Sequence, residues 1–78
     1  MNLPEAIEIW PVNRPQPYSR NARTHDAAQV EKIAASMLEF GFTNPILVDA
    51  NETIIAGHGR LMAAKHLGRT EVPVIVLG

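Results

Sequence analysis

A glycine turn in the second half of the chain contains the residues best suited to hold an anion. Gly57, His58, Gly59 and Arg60 follow a β-branched pair at 54–55 and precede a segment with apolar residues at helical spacing. This order predicts a strand, a tight turn and a helix. The first N–H groups of a helix have no intrahelical acceptor, and together with the helix dipole they can hold an anion. Arg60 would add a planar, permanently charged guanidinium that is suited to phosphate.

The same residues also have a purely structural interpretation. Gly57 and Gly59 can serve only to reverse the chain between two packed elements. His58 is a candidate for a ligand contact or a proton transfer, and a surface histidine at a helix start is the alternative. The pattern alone leaves both interpretations open.

The composition bounds the chemistry that the chain can perform. Its 78 residues, 46% hydrophobic and 19% charged, suffice for one small globular domain. The absence of cysteine excludes disulfides, thiolate zinc sites and a thiol nucleophile. No apolar stretch approaches the roughly 20 residues that span a bilayer, and the N-terminus lacks the basic flank and apolar core of a secretory signal. The sequence therefore predicts a cytoplasmic location without membrane contact.

Positive charge is concentrated in one predicted loop. The formal net charge is −1, so the overall charge does not indicate nucleic-acid binding. Between Ile9 and His25, however, there is no acidic residue, and Arg14, Arg20 and Arg23 all fall in this window. Such a cluster could meet phosphates, and a solvated basic loop is the alternative.

The rest of the pattern predicts the scaffold that positions the turn. Periodicity and turn residues give the order β, α, β, β, α, β. The predicted elements are a strand at 7–12, a helix that begins at Asp26, a hairpin of 46–48 and 53–56, a helix at 58–67 and an apolar strand at 72–77. We expect an α+β fold with one small mixed sheet of four strands and both helices packed against it. The last strand is too apolar for an exposed face, so we place it inside the sheet.

Three local features refine this scaffold. Pro11 donates no ladder hydrogen bond, so the first strand should lie at an edge or end there. Gly41 stands where a C-cap belongs, and Phe40 and Phe42 beside it are expected to close the helix end. The apolar stripe of the first helix, which we expect to face the core, is formed by Val30, Ile33, Ala34, Met37 and Leu38.

Histidines and carboxylates are the remaining candidates for metal or hydrolytic chemistry. His58 and His66 lie on one predicted helix, about 12 Å apart along its axis, which is too far to share a metal. Asp49 and Glu52 fall in the predicted hairpin turn, where turn composition explains them. A two-metal nuclease needs several acidic groups that converge on one site. We therefore expect no metal site, and a metal-dependent nuclease is the less favoured interpretation.

Two segments occur in an order that is typical of one protein family. They are residues 41–48, GFTNPILV, and residues 54–60, IIAGHGR, followed by Ala63 and Ala64. They resemble the G-x-x-Q-P-I-x-V segment and the G-E-R-R turn of the N-terminal domain of the ParB family, and the match extends over residues 7–77. The resemblance implies the ParB/sulfiredoxin-like fold, with residues 1–78 as a single ParB-like domain and an N-terminal fragment of a longer protein.

The resemblance also implies a ligand and a site. In that family the domain binds CTP with magnesium, and in partition proteins it hydrolyses CTP while clamping on DNA. The implied site residues are Gly57, His58, Gly59 and Arg60 at the phosphates, Thr43 and Asn44 near the base or ribose, and Arg20 or Arg23 at the triphosphate. The segment RNARTH at 20–25 looks most like the phage and prophage type, which often precedes a DNA-modification methyltransferase.

The chain departs from the family pattern at two places. His58 and Gly59 replace the Glu and the first Arg of G-E-R-R, which removes one carboxylate and one charged phosphate contact. The family's third motif, E-N-x-x-R, would fall after Gly78. Sulfiredoxin shares the fold and binds ATP at the corresponding turn, but its catalytic cysteine has no counterpart here, so that activity is excluded.

Three hypotheses follow from the sequence. The first is a binding module that holds a nucleotide or a DNA phosphate at 57–60 and serves a DNA-associated protein, a methyltransferase or a partition-type factor. The second is an enzyme, a ParB-like nuclease that uses His58 and Arg60 on a phosphodiester. The third is a structural module that mediates assembly with no ligand. The sequence leaves the oligomeric state open.

Overall fold

The computed structural model describes residues 6–18, 27–42 and 44–78. In chain order the elements are β1 (Glu8–Pro11), α1 (Ala27–Phe40), β2 (Ile46–Val48), β3 (Ile54–Ala56), α2 (His58–His66) and β4 (Glu71–Val76). The predicted order is confirmed. The helix start predicted at Asp26 lies outside the described residues. Neither of the two helices described is long and apolar enough to cross a membrane.

The four strands form one mixed sheet in the order β1-β4-β2-β3. Strand β4 runs antiparallel to β1 and parallel to β2, and β2 and β3 form an antiparallel hairpin. β4 lies inside the sheet, as predicted from its apolar sequence. Its Val72 and Val74 are accordingly buried, with 1% and 0% exposure. Pro11 ends β1, which among the described strands pairs only with β4 and is therefore an edge strand, also as predicted.

The core lies between the sheet and the two helices. Helices α1 and α2 pack against each other, and α2 packs on β2. Ala63 and Ala64 are fully buried, and their small side chains permit a close approach of the helices. The largest side chains that are fully buried are Ile46, Leu61, Val48, Val72 and Val74. This packing fixes α2 relative to β2 and β3, and with it the turn at 57–60.

Two predictions about α1 are wrong. Leu38 is 68% exposed, because the buried face is made of Val30, Ala34 and Met37, and position 38 lies beside this face rather than on it. Phe40 is 67% exposed and does not close the helix end, although Phe42 does pack against the core. The C-cap itself is confirmed, since Gly41 adopts φ +81° and its N–H donates to the Met37 carbonyl at 2.8 Å.

Candidate functional site

An open cavity of about 890 Å³ lies on the side of the molecule where β3 meets α2. Helix α1 lines part of its wall, β3 another part, and the turn at 57–60 a third. Small-molecule sites are clefts of roughly 300 to 1,000 Å³ with a few polar groups on a mainly apolar wall. The cavity therefore has the size and position of a ligand site.

The turn that closes one end of the cavity depends on Gly57. This residue adopts φ +102°, in the left-handed region, between β3 and α2. A Cβ atom placed on it would lie 3.2 Å from Ile46 Cα and 3.0 Å from Arg60 Nη2. The Leu61 N–H donates to the Gly57 carbonyl at 2.9 Å and begins the hydrogen-bond ladder of α2. Gly57 is thus required by its backbone conformation and by the closeness of β2.

The first turn of α2 lines the cavity. His58 and Arg60 are half-buried, Gly59 is buried, and all three line the cavity. Within the described ranges no acceptor takes a hydrogen bond from the amides of Gly59 or Arg60. Free N–H groups and the positive end of the helix dipole favour a negatively charged group at this point.

The Arg60 guanidinium is fixed on one side and unsatisfied on the other. Its Nη2 donates to the Pro45 carbonyl at 3.1 Å, a contact that sequence reasoning did not predict. Its Nε is buried and has no hydrogen-bond partner among the residues that the structure describes. A buried donor without an acceptor costs about 1 to 3 kcal/mol, so an acceptor that reached this nitrogen would be favoured.

The other predicted site residues divide into two groups. Asn44 is exposed and lines the same cavity as the turn. Thr43, Arg20 and Arg23 lie outside the described residues. The structure thus brings five of the predicted positions together around one cavity, and these are Asn44, Gly57, His58, Gly59 and Arg60.

Arg14, the first arginine of the basic window, binds Glu52 and Trp10 and does not line the cavity. Its Nη2 and Nε donate to Glu52 Oε2 at 2.7 and 3.0 Å, and its guanidinium lies 3.8 Å from the centre of the Trp10 ring. The hydrogen bond to Glu52 raises the pKa of Arg14. Arg14 therefore clamps β1 to the hairpin turn and contributes no free charge to the cavity.

Lys32 and Tyr18 are among the cavity residues that sequence reasoning missed. Lys32 projects from α1 into the cavity wall, and Tyr18 contributes an aromatic ring that is 44% exposed. A signal for Lys32 was present, because it stands next to Ile33 on the edge of the apolar stripe, where a polar side chain can reach across a helix–sheet groove. No local signal places Tyr18, since a loop residue reaches the cavity only through the tertiary fold.

The carboxylates of the hairpin turn have structural partners. Asp49 Oδ1 accepts hydrogen bonds from the amides of Asn51 and Thr53 at 2.8 and 2.9 Å. Glu52 adopts φ +67° and binds Arg14. In the described part of the chain there is no group of three or more histidine or acidic residues that could hold a metal ion. These contacts favour the interpretation of Asp49 and Glu52 as turn residues.

Comparison with known proteins identifies the family. The family model described as the ParB N-terminal domain matches residues 5–77. The chain belongs to the ParB N-terminal domain family. Its sequence is 52% identical over 71 residues to the ParB-like nuclease domain-containing protein YnaK of Escherichia coli K12, and the match covers 91% of this chain and 82% of YnaK.

Solved structures agree with this assignment. The ParB N-terminal domain described here matches the C-terminally truncated chromosome-partitioning protein ParB from Caulobacter crescentus, complexed with CTP-γ-S, with a TM-score of 0.77 and 28% identity over 92% of this chain and 44% of that one. Sulfiredoxin from Arabidopsis thaliana matches with a TM-score of 0.78 at 20% identity, over 92% of this chain and 84% of that one, which shows a shared fold. The predicted ParB/sulfiredoxin-like α+β fold is confirmed.

Proposed function

We propose that this ParB N-terminal domain is a nucleotide-binding module. It holds the phosphates of a nucleoside triphosphate at residues 57–60, and CTP is the ligand that we favour. The observation on which this depends is the buried Arg60 Nε, which has no partner among the described residues, in a turn that lines a cavity of about 890 Å³. The amides of Gly59 and Arg60 in the same turn also have no acceptor among the described residues. The Caulobacter ParB complexed with CTP-γ-S supports CTP as the ligand.

The charges on the cavity wall favour a polyanion. Among the described residues of the wall, Arg60 and Lys32 are cationic, and Asp49 is the carboxylate, with its Oδ1 already bound to two amides. Charge-assisted hydrogen bonds from a guanidinium to phosphate are about twice as strong as neutral ones. A triphosphate that reached from the α2 start towards α1 would meet both cations.

The family resemblance implies magnesium, which at nucleotide sites is held mainly by the phosphates with one or two carboxylates. Among the described residues there is no group of three or more histidine or acidic side chains that could hold a metal ion. Asp49 is the carboxylate on the described wall, and its hydrogen bonds hold the hairpin turn. We therefore assign no step to magnesium.

We further propose that the module serves a DNA-associated protein of the partition or DNA-methyltransferase type. The name of the Caulobacter relative, a chromosome-partitioning protein, supports the first of these contexts. The name of YnaK, a ParB-like nuclease domain-containing protein, supports a nuclease as a second candidate function. The partnered carboxylates Asp49 and Glu52 favour the nucleotide module over the nuclease.

Calorimetric titration of the 78-residue chain with CTP, ATP and short duplex DNA, with and without magnesium, separates these functions. The proposal predicts saturable CTP binding without cleavage of DNA. Magnesium-dependent DNA cleavage without nucleotide binding would support the nuclease instead. No binding and no cleavage would leave only the structural module.

Lys32→Gln is expected to weaken CTP binding by about 1.4- to 5-fold at low salt, because an exposed charge pair contributes about 0.2 to 1 kcal/mol. The effect should shrink as the ionic strength rises. Lys65→Gln is the matched control, since Lys65 is also an exposed lysine on a helix but does not line the cavity. Equal effects of the two substitutions, measured in the same titration, would show that Lys32 acts only through the net charge.

A further inference from the structure

Tyr18 is a partly exposed aromatic residue that lies in the wall of the cavity. It lines the cavity that ends at Arg60, and 44% of its surface is exposed. Exposed tyrosines are common and by themselves carry no function. This one lines the same cavity as the start of α2, where we propose that the phosphates bind, and the ring could therefore contact another part of the same ligand.

The backbone next to Tyr18 is fixed to the sheet. The Gln16 N–H donates to the Glu52 carbonyl, and the Ile54 N–H donates to the Gln16 carbonyl, both at 2.8 Å. These bonds pair Gln16 with Thr53, the residue just before β3. The Arg14 to Glu52 ion pair also ties this segment to the hairpin turn. Tyr18 therefore follows an anchored strand-like segment, and its approach to the cavity is set by the fold.

The cavity offers a ligand two different environments. At one end the start of α2 supplies amides and the Arg60 guanidinium, which suit a phosphate. Along the wall, Ile33, Met37 and Phe42 add apolar surface to the ring of Tyr18. A simple oxyanion would use only the first environment, whereas a planar heterocycle joined to a phosphate chain would fill both.

We infer that Tyr18 is a specificity-determining residue whose ring stacks on the base of the bound nucleotide. This inference rests on the proposed nucleotide site and adds the group that recognises the nucleoside. Stacking of a base on an aromatic side chain is sequence-tolerant because every base has a π-face. Tyr18 therefore selects nucleotides over inorganic polyphosphate without by itself choosing between bases.

Tyr18→Ala tests this assignment against tripolyphosphate as a ligand that has the phosphates but no base. The variant is expected to lose about 5- to 150-fold in affinity for CTP, the range for loss of one base–aromatic stack, and to bind tripolyphosphate as the wild type does. Tyr18→Phe keeps the ring and should keep the affinity. Phe40→Ala, which removes an aromatic residue that is 67% exposed and lies off the cavity, is the matched control.

A second measurement reports on the ring directly. Tyr18 is the only tyrosine in the chain, so ¹³C-labelled tyrosine gives one set of ring signals in an NMR spectrum. CTP should shift these signals upfield through the ring current of the base, and tripolyphosphate should not.

The outcomes separate the failure of this inference from the failure of the proposed function. Unchanged CTP affinity in Tyr18→Ala, with wild-type binding intact, would overturn the stacking role alone. Equal losses for CTP and tripolyphosphate would also overturn it, since they would indicate a general effect on the fold. A wild-type chain that binds neither ligand would overturn the proposed function and this inference with it.

Discussion

Arg60→Ala is expected to weaken CTP binding by about 10- to 150-fold, because a charge-assisted contact to phosphate contributes about 1.5 to 3 kcal/mol. The guanidinium is held in place by its bond to the Pro45 carbonyl, and its buried Nε has no acceptor among the residues described. A bound phosphate would supply that acceptor. Isothermal titration calorimetry with CTP measures the loss, and we expect the same loss for tripolyphosphate.

Two control variants make this result specific. Arg60→Lys keeps the positive charge but loses the planar guanidinium, which can donate two parallel hydrogen bonds, and with it the Nε donor. It should therefore retain only part of the wild-type affinity for CTP. Arg69→Ala removes an exposed arginine that does not line the cavity and should leave binding unchanged. The unfolding temperature of each variant shows whether the loss of the Pro45 contact has disturbed the fold. A decrease below twofold in Arg60→Ala would mean that the guanidinium does not contact the ligand.

Gly57→Ala is expected to lower the free energy of unfolding by about 2 to 5 kcal/mol. About 1 to 2 kcal/mol comes from placing a side chain at left-handed φ, and about 1 to 3 kcal/mol from crowding in a packed site. The added Cβ would lie 3.2 Å from Ile46 Cα, a backbone atom that cannot turn away. It would also lie 3.0 Å from Arg60 Nη2, so the guanidinium must shift and CTP binding should fall.

Gly68→Ala is the matched control for this prediction. Gly68 also has a positive φ, +74°, but no atom lies within 4 Å of the position of its Cβ. It should therefore lose only the backbone contribution of about 1 to 2 kcal/mol. Chemical denaturation followed by the fluorescence of Trp10 measures both variants. Equal losses in the free energy of unfolding would show that the close contact between the turn and β2 does not contribute to stability.

Much of the fold could be predicted because local and global preferences agree. Alternation in the strands, the apolar stripe of α1 and the C-cap at Gly41 all specify the same elements. The apolar run of β4 predicted its interior position, and Pro11 predicted the edge position of β1. Leu38 and Phe40 were misplaced because the width of a buried helix face depends on how closely the neighbouring elements pack, which the spacing of apolar residues does not determine.

The candidate site could be predicted only where its residues are contiguous. The turn at 57–60 is visible in the sequence because two glycines, a histidine and an arginine stand together. The bond from Arg60 to Pro45, the pairing of Arg14 with Glu52 and the presence of Tyr18 in the cavity all join residues that are distant in sequence. Such contacts arise from tertiary packing, so no local pattern indicates them.

A backbone amide NMR titration of the chain with CTP tests most directly whether a negatively charged ligand docks at the start of α2. We predict saturable shifts that are largest at Gly59 and Arg60, which line the cavity and whose amides have no acceptor among the described residues, with much smaller shifts at Thr70 and Glu71 beyond the far end of α2. Saturable shifts confined to other parts of the chain, or amides of Gly59 and Arg60 that do not respond at all, would contradict this account.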